Sequence, residues 1–399
     1  MDTNIKGNAR EVFAAFLKLG LTSFGGPIAH LGYFRREFVE RRGWLDESEF
    51  ARLLALCQFL PGPASSQLGF ALGLLRAGWP GAFAAFVAFT FPSAMALFVF
   101  ATLLPQISSG PVGVAAIHGL KLVAIAVVAQ GVLGMSRSLC PDRARASIAA
   151  LSVAILLAFP HAWMQLLVVA LGAAAGLIAC RDVKPPALEE QLSLPYGARL
   201  GVVLLATYAL LLIGLPLVAA GTSGLLPVIE AFYRAGALVF GGGHVVLPLL
   251  RDALVVPGWI SPGDFLAGYG AAQAVPGPMF TLSAYLGARI LDGGALGATV
   301  ALLAIFLPGF LLLSGALPLW RLIGHTPTAA RAVAGVNAAV VGLLAAALYD
   351  PVWTTGVQGP LDVAVAVIAF TLLVAWRASA LVVVLWCVAA SVAIALQVA

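Results

Sequence analysis

Two basic residues stand inside apolar runs, Lys18 in Phe16-Leu17-Lys18-Leu19-Gly20 and Arg234 in Phe232-Tyr233-Arg234-Ala235-Gly236. A cation at the centre of a membrane helix costs at least about 2.5–3.5 kcal/mol unless it is paired or hydrated. No carboxylate lies in the stretch that carries Lys18. Each cation precedes a glycine-rich break by about two helical turns: Ser23-Phe24-Gly25-Gly26-Pro27 after Lys18, and Phe240-Gly241-Gly242-Gly243-His244 after Arg234. A second kind of break follows in both places, Gln58-Phe59-Leu60-Pro61-Gly62-Pro63 and Gln273-Ala274-Val275-Pro276-Gly277-Pro278. Hydroxyl residues come directly after it, Ser65 and Ser66 in one case, Thr281 and Ser283 in the other. A helix restarting there has free N–H groups and about half a positive charge at its start, and hydroxyls in its first turn add donors. That combination suits an anion. Lys18 can instead snorkel to the interface, and Gln58 and Gln273 can brace the breaks by interhelical hydrogen bonds. Recurrence of the cation before the same break favours a part in attracting substrate.

Other chemistry finds little support. Glu11, Glu230 and Asp362 lie near segment ends, and His30, His118 and His244 are the remaining titratable groups near the apolar runs. Proton-coupled cation pumps usually carry buried carboxylates, which these runs lack. No HExxH, GxSxG or paired-carboxylate motif points to an enzyme. Cys57, Cys140, Cys180 and Cys387 stand singly, as apolar fillers rather than a disulfide framework or zinc site. Neither a metal nor a cofactor is expected.

The breaks must be carried by helices in a membrane. The chain has 399 residues, 61% hydrophobic and only 10% charged, against roughly half apolar and a quarter charged in soluble domains. Soluble enzymes and nucleic-acid binders are thereby excluded, and the apolar content suffices for about 12 transmembrane helices. Long unbroken runs such as Ala82 to Leu104 speak against a β-barrel. No removable signal peptide is expected, because the apolar stretch after Arg10 is interrupted by Lys18 and no small-residue cleavage site follows.

The two sets of breaks reveal an internal repeat. Phe24-Gly25-Gly26 lies over Phe240-Gly241-Gly242 at an offset of 216, and Pro61-Gly62-Pro63 lies over Pro276-Gly277-Pro278 at 215. The larger offset returns at Gly78/Gly294 and Pro92/Pro308, and His118-Gly119-Leu120-Lys121 faces Ala334-Gly335-Val336-Asn337. The expected organisation is a first repeat over 1–183, a linker with one connecting helix over 184–222, and a second repeat over 223–399. The linker holds Lys184-Pro185-Pro186 and Glu189-Glu190, and the apolar stretch Gly201 to Ala220 supplies the connecting helix. If each repeat crosses the bilayer an even number of times, that helix inverts the second repeat. The fold class is therefore an all-α polytopic membrane protein of two inverted repeats with broken or re-entrant helices.

Arginine placement agrees with inversion: Arg35, Arg36, Arg41 and Arg42 crowd one loop of the first repeat and Arg137, Arg143 and Arg145 another. The matching loops of the second repeat hold Arg251 and no basic residue, respectively. Full spans at Ala14–His30 and Leu53–Leu75 would put the four-arginine loop on the side opposite to every other basic loop. Re-entrant segments return it to the cytoplasm and are the favoured reading.

At these paired motifs the sequence resembles the chromate ion transporter family in its long two-domain form, over nearly the whole chain. The resemblance implies export of chromate across the bacterial cytoplasmic membrane, resistance to chromate, and competing affinity for sulfate, an oxyanion of the same shape and charge. Its motif positions here, with the residues beside them, make up the expected substrate site. Transport of sulfate or another oxyanion, and an anion channel, stay open as alternatives, as does a homodimer. The lipid bilayer is an expected partner and nucleic acid is not.

Overall fold

The computed structural model describes residues 7–24, 26–159, 161–183, 194–290, 293–320 and 326–398. Gly25 and the linker residues 184–193 lie outside these. The described residues are helical, with no strand among them. The first half contains α1 (Ala9–Thr22), α2 (Gly26–Phe34), α3 (Glu47–Phe59), α4 (Ala64–Ile107), α5 (Pro111–Leu139), α6 (Arg143–Ala158) and α7 (Ala162–Ala179). After α8 (Ala198–Ala219) come α9 (Leu225–Ala237), α10 (Val246–Leu250), α11 (Pro262–Ala272), α12 (Leu282–Arg289) and α13 (Gly294–Ala316). Helices Pro327–Ala347, Pro360–Val374 and Ala380–Val398 complete the chain.

Six helices among the described residues are long and apolar enough to cross a membrane: 64–107, 111–139, 198–219, 294–319, 327–356 and 380–397. The protein is a multi-pass membrane protein, but six is half of what composition suggests. Much of the missing apolar sequence lies in short helices. A helix of 14 residues such as α1 reaches only about 21 Å, less than the ~30 Å hydrocarbon core.

These short helices form antiparallel hairpins. The Phe16 ring of α1 stacks on Phe38 at 4.8 Å and meets Phe34 edge-on at 5.6 Å, while Trp44 Nε1 donates to Glu11 Oε1 at 3.1 Å. Later residues thus face earlier ones, and the chain turns back between Phe24 and Gly26. A second hairpin joins α3 to the first arm of α4. An Asp46 capping box starts α3, and the Glu49 N–H and Ser48 hydroxyl hold the Asp46 carboxyl below the usual carboxylate range. The arm returns to Arg76, whose guanidinium binds Glu11 (3.1 Å) and lies 5.1 Å from the Trp44 ring centroid. Both hairpins therefore share a base. At Ala77 and Gly78 the helical angles break (Gly78 φ 64°), and the rest of α4 is long enough to span.

The second half repeats the plan. The Tyr285 hydroxyl of α12 donates to the Asp264 carbonyl of α11 at 2.9 Å, and Arg289 pairs with Asp264 at 3.4 Å, closing a hairpin whose tip is Pro276-Gly277-Pro278. Interlocking is mutual: α6 and α7 pack on Pro327–Ala347 of the second half, and the last two helices pack on α5 of the first. Glycines permit this closeness. A Cβ on Gly119 would come within 2.7 Å of the Cys387 carbonyl, and one on Gly335, its counterpart, within 2.0 Å of the Gly172 carbonyl. His118 Nε2 adds a 2.8 Å contact to Asp362 across the first of these interfaces. The four cysteines are unpaired thiols, three of them buried.

Candidate functional site

The hairpin tips of one half meet those of the other. The Gly62 N–H donates to the Val239 carbonyl at 2.7 Å, and the Gly277 N–H donates to the Ser23 carbonyl at 3.0 Å. Val239 is the counterpart of Ser23, so the two bonds are equivalent: each Pro-Gly-Pro turn docks on the backbone just before the opposite half's Phe-Gly-Gly. The flanking prolines suit this turn. Pro61 and Pro276 cannot continue a helix, and Pro63 and Pro278 fit at the start of the next. Gly62 (φ 123°) and Gly277 (φ 103°) have backbone angles that side-chain-bearing residues avoid. They are also hemmed in, since a Cβ on Gly62 would lie 2.8 Å from Gln67 Nε2 and one on Gly277 would lie 2.8 Å from Ser93 Oγ and 3.1 Å from the Phe89 carbonyl. Gly26 (φ 77°), Gly241 (φ 73°) and Gly242 (φ 148°) take positive angles at the other tips, with Gly243 buried and Phe24 and Phe240 half-buried beside them.

The cations are not unpaired, contrary to the sequence expectation. Lys18 Nζ lies 3.6 Å from Glu37, which the first hairpin brings opposite it, and the same carboxylate takes Arg42 at 2.7 Å and Arg41 at 3.1 Å. Glu37 is enclosed, with 7% of its side chain exposed, whereas Lys18 is 53% exposed and faces outward. Arg234 pairs with Glu230 one turn back in α9, at 2.5 Å.

The polar candidates divide. Ser23, His30 and Gln273 are buried, at 0, 0 and 8% exposure, and Ser23 Oγ, His30 Nδ1 and Gln273 Nε2 have no hydrogen-bond partner. His30, outside the motifs, joins the site because its Nε2 lies 3.2 Å from the Ser23 carbonyl, the same oxygen that accepts from Gly277. A carbonyl only accepts, so Nε2 carries the hydrogen and the neutral ring leaves Nδ1 bare. Gln58, the counterpart of Gln273, is exposed. Ser65 and Ser66 are buried at the start of α4, with Ser66 Oγ unpartnered. Thr281 departs from the expected donor role: its hydroxyl is spent on the Pro278 carbonyl at 2.7 Å, as Ser283's is on Phe280. His244 Nδ1 contacts the Tyr269 hydroxyl at 2.9 Å. Gln67, which the motifs did not mark, donates from Nε2 to the Pro61 and Gly309 carbonyls, both at 3.0 Å. No group of three or more His, Cys, Asp or Glu among the described residues could hold a metal.

Apart from the tips, a polar cavity is lined by His161, Gln165, Arg251, Asp252 and Asp350. Arg251 bridges it, bound to Asp350 at 2.5 Å and Asp252 at 3.3 Å.

Comparison with known proteins adds a family. A model of the chromate transporter family matches twice, over residues 10–177 and 226–394. A chromate transport protein of Pseudomonas aeruginosa is 29% identical, the match covering 92% of this chain and 87% of the relative. A probable chromate transport protein of Synechococcus elongatus is 30% identical, covering 85% and 83%. A chromate transport protein of Cupriavidus metallidurans is 28% identical, covering 85% and 81%. No solved structure matches the chain.

Proposed function

The chain belongs to the chromate transporter family, which makes it a transporter rather than an enzyme, and from that premise we propose that it is a secondary transporter exporting chromate across the bacterial cytoplasmic membrane, thereby conferring resistance. The observation that carries this reading is the reciprocal docking of hairpin tips, Gly277 on Ser23 and Gly62 on Val239, beside buried unpartnered polar groups. Non-helical backbone at membrane depth is tolerated where it is enclosed by protein or lines a pathway. Here each Pro-Gly-Pro turn donates its glycine N–H to a carbonyl of the opposite half, so relative movement of the halves breaks and remakes the bonds that close the lane. That favours a carrier over a channel, which needs a lane already open where the tips now bond.

We take the repeats as 1–183 and 223–399, joined by 184–222, with opposite orientations. From the shared base of the first two hairpins at Trp44, the chain goes out along α4, back along α5, and out and back along α6 and α7. Helix α8 then carries it to the far end, where the second pair of hairpins has its base. On this path Arg35, Arg36, Arg41, Arg42, Arg137, Arg143, Arg145, Arg181, Arg331 and Arg377 all fall at the end of Trp44, which the positive-inside rule makes cytoplasmic. The same polarity favours export. Among the ion pairs of the described residues, the inner hairpins set five cations against four carboxylates, whereas the outer ones set three arginines against three carboxylates of their own, and Asp350 from beyond Pro327–Ala347 adds a fourth. A dianion leaving a cell negative inside by 100 mV gains about 4.6 kcal/mol, twice the single-charge value, so no coupling ion is required.

The test is uptake of labelled chromate and sulfate into inverted vesicles, with the membrane potential and the pH gradient collapsed separately. Saturable chromate uptake that falls when the potential is collapsed is the expected result. Linear flux without counterflow would make the protein a channel, and preference for sulfate would replace the substrate.

A further inference from the structure

The two tip junctions share one backbone design, so what lines them decides what they can bind. We propose that the chain holds a single oxyanion, at the junction of Ser23, His30 and Gln273, and that the opposite junction is a structural counterpart that holds none. This rests on the oxyanion-transport reading above and specifies which groups take the substrate.

Buried polar groups without partners are few in folded proteins and each destabilises the fold. Three lie on the segments that meet at the first junction: Ser23 Oγ, His30 Nδ1 and, four residues before Gly277, Gln273 Nε2. The Ser23 carbonyl fixes the group by accepting from Gly277 N at 3.0 Å and from His30 Nε2 at 3.2 Å. The chemistry left over is specific. The serine hydroxyl and the glutamine amide supply up to three donor hydrogens for the oxygens of an anion, and the bare His30 Nδ1 accepts from one water that enters with it.

At the second junction the same positions are closed. Val239 and Val246, both 0% exposed, stand where Ser23 and His30 stand in the first, and Gln58 in place of Gln273 is exposed. The nearest amide, Gln67 Nε2, is already bound to the Pro61 and Gly309 carbonyls. What remains there is the Ser66 hydroxyl and two amide oxygens, Gln67 Oε1 and Asn337 Oδ1, of which Asn337 lies 3.6 Å from where a Cβ of Gly241 would be. Acceptors of this kind repel an oxyanion. Two valines and a spent amide make a packed hinge, whereas the first junction pays in stability for unmet hydrogen bonds.

Equilibrium dialysis of purified full-length protein with labelled chromate and with labelled sulfate tests this, alongside thermal unfolding with and without each anion. One anion per chain is expected. Ser23→Ala and Gln273→Leu should each weaken binding about tenfold or more while raising the melting temperature of the anion-free protein, because each removes an unmet polar group. A purely structural role would lower that temperature instead. Val239→Ala should leave binding within about twofold. Two anions per chain, or a loss on Ser66→Ala as large as that on Ser23→Ala, would overturn the single-site proposal while leaving oxyanion transport intact. Binding of neither anion by the wild-type protein would sink the transport reading, and this proposal with it.

Discussion

Glu37 gathers Lys18, Arg41 and Arg42 around one enclosed carboxylate, so the three cations are not interchangeable with Arg234, which pairs with Glu230 in its own helix. Lys18→Ala leaves Glu37 with two arginines and should spare protein abundance while lowering chromate uptake several-fold, since it thins the positive charge at the inner hairpin. Arg234→Ala strands Glu230, whose side chain is 15% exposed, and should cost about 1–2 kcal/mol, discounted for partial exposure. Adding Glu230→Gln should restore the lost abundance. Immunoblots and vesicle uptake read both; equal loss of abundance in the two single variants would contradict the pairing. The Arg234 partner was legible, because Glu230 sits one helical turn away, where side chains meet. The Lys18 partner was not: Glu37 comes opposite only once the chain has folded back between Phe24 and Gly26, and no local rule of spacing spans that turn.

At the scale of elements, the sequence marked where helices break but not what the breaks touch. Pro-Gly-Pro and Phe-Gly-Gly announce turns through missing N–H groups and permissive φ angles. Their docking across halves is a long-range fact that a single chain of letters does not display. The same holds for His30, an ordinary residue of α2 until its ring meets the Ser23 carbonyl. Docking sets the consequence of filling the turns. Gly277→Ala places a methyl against the Phe89 carbonyl at 3.1 Å, which belongs to a helix and cannot retreat, and adds about 1–2 kcal/mol for a positive φ. Gly62→Ala meets the Gln67 amide at 2.8 Å, which two carbonyls hold in place, and the Gly309 Cα at 3.2 Å, and it bears a positive-φ cost as well. Both should lower the melting temperature, and Gly277→Val should also abolish the rise in melting temperature that chromate produces. An unaltered rise in the valine variant would move the binding site away from this turn.

For the whole molecule, duplication is written plainly in the paired motifs, whereas apolar content for about 12 helices meets six described helices long and apolar enough to cross, with further apolar sequence in shorter ones. Hairpins that entered and left on one side would absorb apolar sequence without crossing. Sidedness is where the two accounts part most sharply, and labelling can decide between them. In a background with Cys57, Cys140, Cys180 and Cys387 replaced, Ser48→Cys, Ser138→Cys and Pro257→Cys place single thiols at exposed positions. Hairpins that do not cross put Ser48 and Ser138 together in the cytoplasm, each beside a cluster of arginines, and inversion puts Pro257 outside. A membrane-impermeant maleimide added to intact cells should then label Pro257→Cys alone. If the motif segments were full spans, Ser48 and Ser138 would fall on opposite sides. If the repeats were parallel, Ser48 and Pro257 would share one. The three labels thus separate re-entry from inversion, and the proposed export rests on both: anions would be gathered at the arginine-rich inner base and released where Arg251 is held by Asp252 and Asp350.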